Sequence, residues 1–365
     1  MSVRLNVKDL ELIKFLGSYK QMKAIDCKKI YRSKDYYLKR LKVLEKERYI
    51  KRENRYYIKV DIEGRRLLND LCYENYNLCR NKDYQDRIKD IAKIAMLGLD
   101  SDIEFIPSWE LKDKRVYTDL GRKYIGELKY MGKKCIAYYI SNRNNPIYAR
   151  QIATDIDKMF SYDNVIVFIE DFNMINKGNK HFMLGKNSLE LIRPSEENLE
   201  LMRLFESIDL YEGLKMIYKG KEILLSDWDK ADYMTEQGLY IFLMTFIDTA
   251  KLHKLNVFYK SNISSSKKID IVTLKENRDI IDKVLKRKTN IVELDEWLKK
   301  LQIEMEDYLC PKWYAQMSNL TDFLKIPHWI FFKPKPIGNK GFLKEKFLVF
   351  RGLLKNKTLN EWKER

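Results

Sequence analysis

Apolar residues at Leu10, Ile13, Phe15 and Leu16 recur at the helical period, so the chain is expected to open with a helix over Asp9 to Lys20. Met22, Ile25 and Ile30 mark the buried side of a second helix, Gln21 to Tyr31. Ser33 then stands as an N-cap before a third, from Lys34 to about Arg48. In this third helix Leu38, Leu41 and Leu44 fall on the inward face. Tyr36, Lys39, Arg40 and Val43, spaced by three and four, fall on the other, which is basic and aromatic. Tyr49-Ile50, a polar turn at Lys51 to Asn54, and a strand in which Tyr56, Ile58 and Val60 alternate with Arg55, Tyr57 and Lys59 predict a hairpin with a basic tip.

Beyond residue 70 the pattern changes. Cys72 to Arg87 is polar and rich in Tyr and Asn, which marks residues 71–87 as a connector that holds one helix continuing from Arg65. A second domain is expected over residues 88–194. Ile103 to Leu111 alternates like a strand, Lys123 to Met131 and Cys135 to Ile140 flank Gly132 like a hairpin, and Pro146 opens a helix to Phe160. Val165 to Ile169 is an apolar strand, and a strand-helix-strand crossover favours a parallel pair. From residue 195 the periodicity turns helical, over Glu197 to Ile208, Tyr211 to Tyr218 and Thr235 to Thr249. One strand follows at Lys268 to Leu274, with further helices at Arg278 to Lys288 and Val292 to Tyr308. The expected class is α+β multidomain, with residues 195–365 mainly helical and ending in a basic tail.

Charge adds a ligand class to this picture. Of 365 residues 70 are Lys or Arg and 53 Asp or Glu, a net charge of +17. Residues 1–70 carry 20 and 10 of these and residues 321–365 carry 11 and 4, leaving 39 of each sign between. Two basic ends around a neutral middle are the footprint of a polyanion partner, and nucleic acid leads. Near the second basic end, Trp329, Phe331 and Phe332 interleave with Lys333 and Lys335, a composition open to core packing or to base stacking. No run of about 18 apolar residues offers a membrane span, and the N-terminus lacks the apolar core of a secretory leader. Five scattered cysteines argue against a disulfide framework, so the cytoplasm is the expected setting.

Three helices followed by a hairpin resemble the winged helix-turn-helix, here over residues 8–70. The resemblance implies Ser33, Lys34, Tyr36, Lys39 and Arg40 near base edges and Lys51, Arg52 and Arg55 near phosphates. Arg40 is the base-reading candidate, because arginine reads guanine bidentately whereas lysine mainly neutralises phosphate. The hairpin, helix and strand that follow look like the core of restriction-endonuclease-like folds, whose chemistry needs an acid on one strand and Glu-x-Lys on the next to hold magnesium. Asp119, Glu127 and Lys129 are the candidates for that set. The better ribbon register, however, puts Ile125-Gly126 and Tyr138-Tyr139 at the acid positions. A nuclease-like scaffold without metal ligands is therefore expected.

A winged helix joined to this α/β unit resembles the replication-relaxation family of plasmids and integrative elements, over roughly residues 8–170. The family pattern keeps an acid on the second hairpin strand, where this chain has Tyr138 and Tyr139. The resemblance implies a sequence-specific protein on double-stranded origin DNA, with host replication proteins as further partners. The oligomeric state, monomer or homodimer, stays open. A magnesium-dependent nuclease and a winged-helix transcription regulator are the rival readings. The chain holds no Gly-x4-Gly-Lys-Ser/Thr loop and no Cys-x-x-Cys pair, and its three histidines lie far apart. No cofactor and no metal is expected.

Overall fold

Helix α1 (Val7–Tyr19) starts on a capping box: the Asn6 side chain accepts from the Asp9 backbone N–H, and the Asp9 carboxylate accepts from Asn6 N at 2.9 Å. Lys20, at φ 69°, ends the helix and swings the chain into strand β1 (Gln21–Lys23). A 3-10 turn at Ala24–Asp26 leads to the short helix α2 (Cys27–Tyr31), and then to α3 (Tyr36–Lys46), β2 (Ile50–Glu53), β3 (Tyr57–Val60) and α4 (Ile62–Asp70). These lie in a computed structural model that describes residues 4–70, 82–99, 103–113, 123–142, 144, 146–157, 164–172, 188–261, 267–285 and 289–299. The molecule is mixed α+β, with three sheets among the described residues.

Several sequence expectations are corrected here. Residues 21–23 are strand rather than helix, because they pair antiparallel with β3, Met22 opposite Ile58, and a local period cannot show a partner thirty-six residues away. The hairpin turn sits at Asn54–Tyr56, three residues later than expected, since Asn54 supplies the left-handed conformation at φ 54°. In α3 the buried set is Tyr37, Leu41 and Leu44, whereas Leu38 is 44% exposed.

The chain continues with α5 (Lys82–Gly98), which begins inside the stretch expected as a connector. Then come β4 (Phe105–Pro107), α6 (Ser108–Asp113), β5 (Gly126–Tyr130), β6 (Lys133–Ile140), α7 (Pro146–Asp157), β7 (Asn164–Ile169), β8 (Ser188–Ile192) and α8 (Glu196–Ser207). Beyond them lie α9 (Leu210–Ile217), β9 (Ile223–Leu225), β10 (Tyr233–Thr235), β11 (Leu239–Met244), β12 (Ile247–Asp248), α10 (Thr249–Ser261), β13 (Lys268–Thr273), α11 (Arg278–Leu285) and β14 (Asn290–Glu293). Two compact units result. Among the described residues, the first comprises those up to Arg203 with Ile247–His253, and the second Leu204–Phe246 with those from Lys254 to Lys299.

In the first unit a six-stranded sheet runs β12-β8-β7-β6-β5-β4. Strands β6 and β7 are parallel and apolar on both faces, as central strands must be when helices cover both sides. Helix α5 lies on the face bearing Cys135, Ala137 and Tyr139, where Lys93 Nζ sits 5.4 Å from the Tyr139 ring centroid. Helix α7 lies on the other, where its Asp155 faces Tyr138. At Gly126 the strands close tightly, since a Cβ there would stand 2.8 Å from the Phe105 ring. The N-terminal elements are bolted to this sheet. Tyr19 Oη donates to Phe105 O at 3.2 Å, Trp109 Nε1 to Ser18 O at 3.1 Å, and Gln21 Nε2 to Gln85 O at 3.4 Å.

The second unit holds a five-stranded sheet, β14-β13-β11-β10-β9, so the expectation of a mainly helical chain from residue 195 is corrected for the described residues. Within the stretch expected as a helix from Thr235 to Thr249, Leu239–Met244 and Ile247–Asp248 are strands, and helix begins only at Thr249. Gly238 turns the chain at φ 75°, and the unbroken apolar run Leu239–Met244 is the mark of a strand buried on both faces, which periodicity alone does not separate from a core helix. Likewise, Val292 and Glu293 belong to β14, with helix only from Asp295. Edge-on contacts of Trp228 with Tyr240 and Phe242, and the Trp297 ring packed against Gly213, close this core.

Both units repeat one plan. A helix precedes three antiparallel strands, a crossover helix leads to a fourth strand parallel to the third, and a fifth joins it in parallel: β4-β5-β6-β7-β8 in the first, β9-β10-β11-β13-β14 in the second. No shared motif in the residues announces this repetition.

Candidate nucleic-acid interface

Helix α3 is set in place by one buried carboxylate. Asp9 is fully buried and accepts from Tyr31 Oη at 2.7 Å and from Arg40 Nε at 3.1 Å, with Arg40 Nη2 closing the pair. One side chain of α1 thereby clamps α2 and α3. Burial and the hydrogen bond to Asp9 push the Tyr31 hydroxyl pKa up, so it stays a donor at any ordinary pH. Asp9 and Tyr31 were not among the residues singled out from sequence; the Asn6-x-x-Asp9 capping spacing was the available signal.

The expected reader Arg40 therefore faces inward, its side chain only 16% exposed. Ser33 Oγ accepts from Tyr36 N at 3.0 Å and caps the helix start, although Asp35 occupies the N-cap position itself. Opposite the buried Tyr37, Leu41 and Leu44 the helix shows Lys39, Lys42 and Lys46, at spacings of three and four. Lys42 and Lys46 stand on this face where the sequence period puts Val43, which is only half-exposed. Leu38 and Tyr36 flank Lys39 in the first turn, 44% and 47% exposed.

The hairpin adds a second basic rim. Arg52 Nε donates to Glu45 Oε2 of α3 at 3.1 Å, which ties β2 to the helix, and Lys59 is buried in an ion pair with Glu53. Lys51 and Arg55 stay exposed, and Tyr56 at the turn is 70% exposed. Among the described residues, Lys34, Lys39, Lys42, Lys46, Lys51 and Arg55 have no acidic partner. Lys34 just ahead of α3, three lysines along the helix, and Lys51 and Arg55 on the hairpin give this face a local excess of positive charge.

Of the magnesium candidates, Glu127 and Lys129 lie among the described residues, both on β5. Asp119 lies outside the described residues, as do Trp329, Phe331 and Phe332. Glu127 is 5% exposed in β5 opposite Ile136, and Lys129 two residues on is exposed. At the acid positions of the ribbon stand Ile125, Gly126, Tyr138 and Tyr139, all buried. Among the described residues no three of His, Cys, Asp and Glu gather as a metal site.

A cluster that sequence reasoning missed lies past the carboxyl ends of β6 and β7. Glu170 accepts from Lys93 Nζ, from Tyr139 Oη at 2.6 Å and from Asn142 N at 2.9 Å. Although burial opposes it, these donors hold the Glu170 carboxyl down at about 2. A depressed carboxylate contributes stability that is present above its ordinary value of 4.5 and lost as pH falls toward 2. Glu170→Gln is expected to remove on the order of 2 kcal/mol at pH 7 and to flatten stability between pH 5 and 2. Urea unfolding across that range checks it, and an unchanged acid limb would refute it. Glu190 is pushed the other way, up to about 7, by burial and by Asp248 opposite it on β12.

Comparison of the chain with protein families, with curated proteins and with solved structures finds no match. No described helix is long and apolar enough to cross a membrane.

Proposed function

We propose that this is a sequence-specific, non-catalytic protein of double-stranded DNA. It docks α3 in the major groove with the β2–β3 hairpin along the backbone, as a winged helix-turn-helix does. The observation that carries this reading is the uncompensated basic surface: Lys39, Lys42 and Lys46 along the exposed side of α3, with Lys51 and Arg55 on the hairpin beside it. A solvated face kept for solubility has no need to leave so many cations unpaired on one element pair, whereas phosphate neutralisation does.

The order helix, three antiparallel strands, crossover helix and parallel strand supports a restriction-endonuclease-like scaffold in the first unit, and its recurrence supports the same for the second. With buried Tyr138 and Tyr139 at the acid position, we read that scaffold as structural. A winged helix bolted to it suits a plasmid or mobile-element protein that marks origin-type DNA for host replication proteins. Arg40, held by Asp9, serves as a positioning residue, so Arg40→Ala should lower stability while leaving base preference unchanged.

Selection of bound sites from a random duplex library, with the full chain and with Lys39→Glu/Lys51→Glu, tests the proposal. Recovery of one motif by the native chain and by none of the variant's selections is the expected result. Absence of any duplex binding by the native chain would end it.

A further inference from the structure

Resting on that DNA-binding reading, we propose that α3 recognises thymine methyl groups and that the duplex substrate is A·T-rich where the helix docks. The helix is poor in hydrogen-bonding readers. Its one arginine, Arg40, is turned to Asp9, and it contains no Asn or Gln to bridge adenine. What it offers outward is three lysines and, in the first turn, two large apolar side chains, Leu38 and Tyr36, on either side of Lys39.

The N-terminal turn of a recognition helix is the part that reaches base edges. An aliphatic side chain nearly half exposed there has nothing apolar to meet in the major groove except the thymine C5-methyl, which is the one apolar group that B-DNA displays on that side. The lysines around Leu38 argue for DNA as the occupant, since a protein partner drawn to an apolar side chain would meet a ring of unpaired cations. The hairpin agrees. Arg55 is exposed without an acidic partner beside Tyr56 at the tip, and an arginine placed in a minor groove gains most where A·T steps narrow it.

The test uses the full chain and three duplexes of about thirty base pairs: A·T-rich with thymine, the same with every thymine replaced by deoxyuridine, and G·C-rich. Deoxyuridine pairs as thymine does but lacks the methyl. The native protein is expected to bind the thymine duplex best and to lose roughly three- to fivefold on the deoxyuridine duplex, the scale of one buried methyl contact. Leu38→Ala should show a similar loss on the thymine duplex and no further loss on deoxyuridine. Its thermal midpoint should match the native one, as Leu38 is exposed. Equal native binding to thymine and deoxyuridine duplexes, preference for the G·C-rich duplex, or a full deoxyuridine penalty retained by Leu38→Ala would each overturn the inference and leave DNA binding standing. Failure to bind any of the three would overturn both.

Discussion

Asp9→Ala is expected to cost about 3 kcal/mol. The carboxylate is fully buried and serves three donors at once: the Asn6 backbone, the Tyr31 hydroxyl and the Arg40 guanidinium. Its removal leaves Tyr31 Oη buried without an acceptor and Arg40 desolvated without a counter-charge, and each orphaned group carries its own penalty. For a unit of this size the thermal midpoint should fall by roughly 6–12 °C. Lys39→Ala, at an exposed position without an acidic partner, should stay within about 0.5 kcal/mol of the native protein. Thermal and urea unfolding of both variants gives the comparison. An Asp9→Ala protein as stable as Lys39→Ala would show that the clamp contributes nothing. DNA binding by Asp9→Ala at low temperature should weaken as well, because α3 loses the group that fixes its rotation.

The second large effect concerns salt. Each phosphate neutralised by a lysine or arginine releases counterions and contributes about 0.9 to the slope of log affinity against log salt concentration. Removing Lys39, Lys42, Lys51 and Arg55 together as alanines should therefore reduce that slope by about 3 to 4. The folded state should be untouched, since these side chains are exposed and hold no ion pair among the described residues. Arg52→Ala should behave differently: its guanidinium is bonded to Glu45, so its loss loosens the hairpin against α3 before it removes a phosphate contact. Titration of a fixed duplex at four salt concentrations separates the two. A slope unchanged in the quadruple variant would mean that the basic surface does not carry the binding.

Much of the first seventy residues was legible without coordinates because the contacts there are local. Ile13, Phe15 and Leu16 of α1, the buried Leu41 and Leu44 of α3 and the alternation of Ile58 and Val60 all report themselves at their own periods. The same holds for β5 and β6 around Gly132 and for β7. Where the residues misled, the deciding partner was distant. Met22 reads as helical until Ile58 is placed opposite it, and Arg40 reads as a base contact until Asp9, thirty-one residues earlier, is found beneath it. The run from Leu239 to Met244 is equally apolar as helix or strand, and only its neighbours β10 and β13 settle the matter.

By itself, then, the chain determined its basic ends, the helices and hairpin of its N-terminal region, and the apolar strands that fill the first unit, since periodicity and charge are written in consecutive residues. The tertiary structure alone decided which cations remain unpaired, which carboxylate is buried under α3, and that one strand plan occurs twice. Those are properties of juxtaposition: an ion pair, a strand register or a repeated topology depends on residues far apart in sequence meeting in space, and unrelated side chains can satisfy the same sheet order as long as each central strand is apolar on both faces.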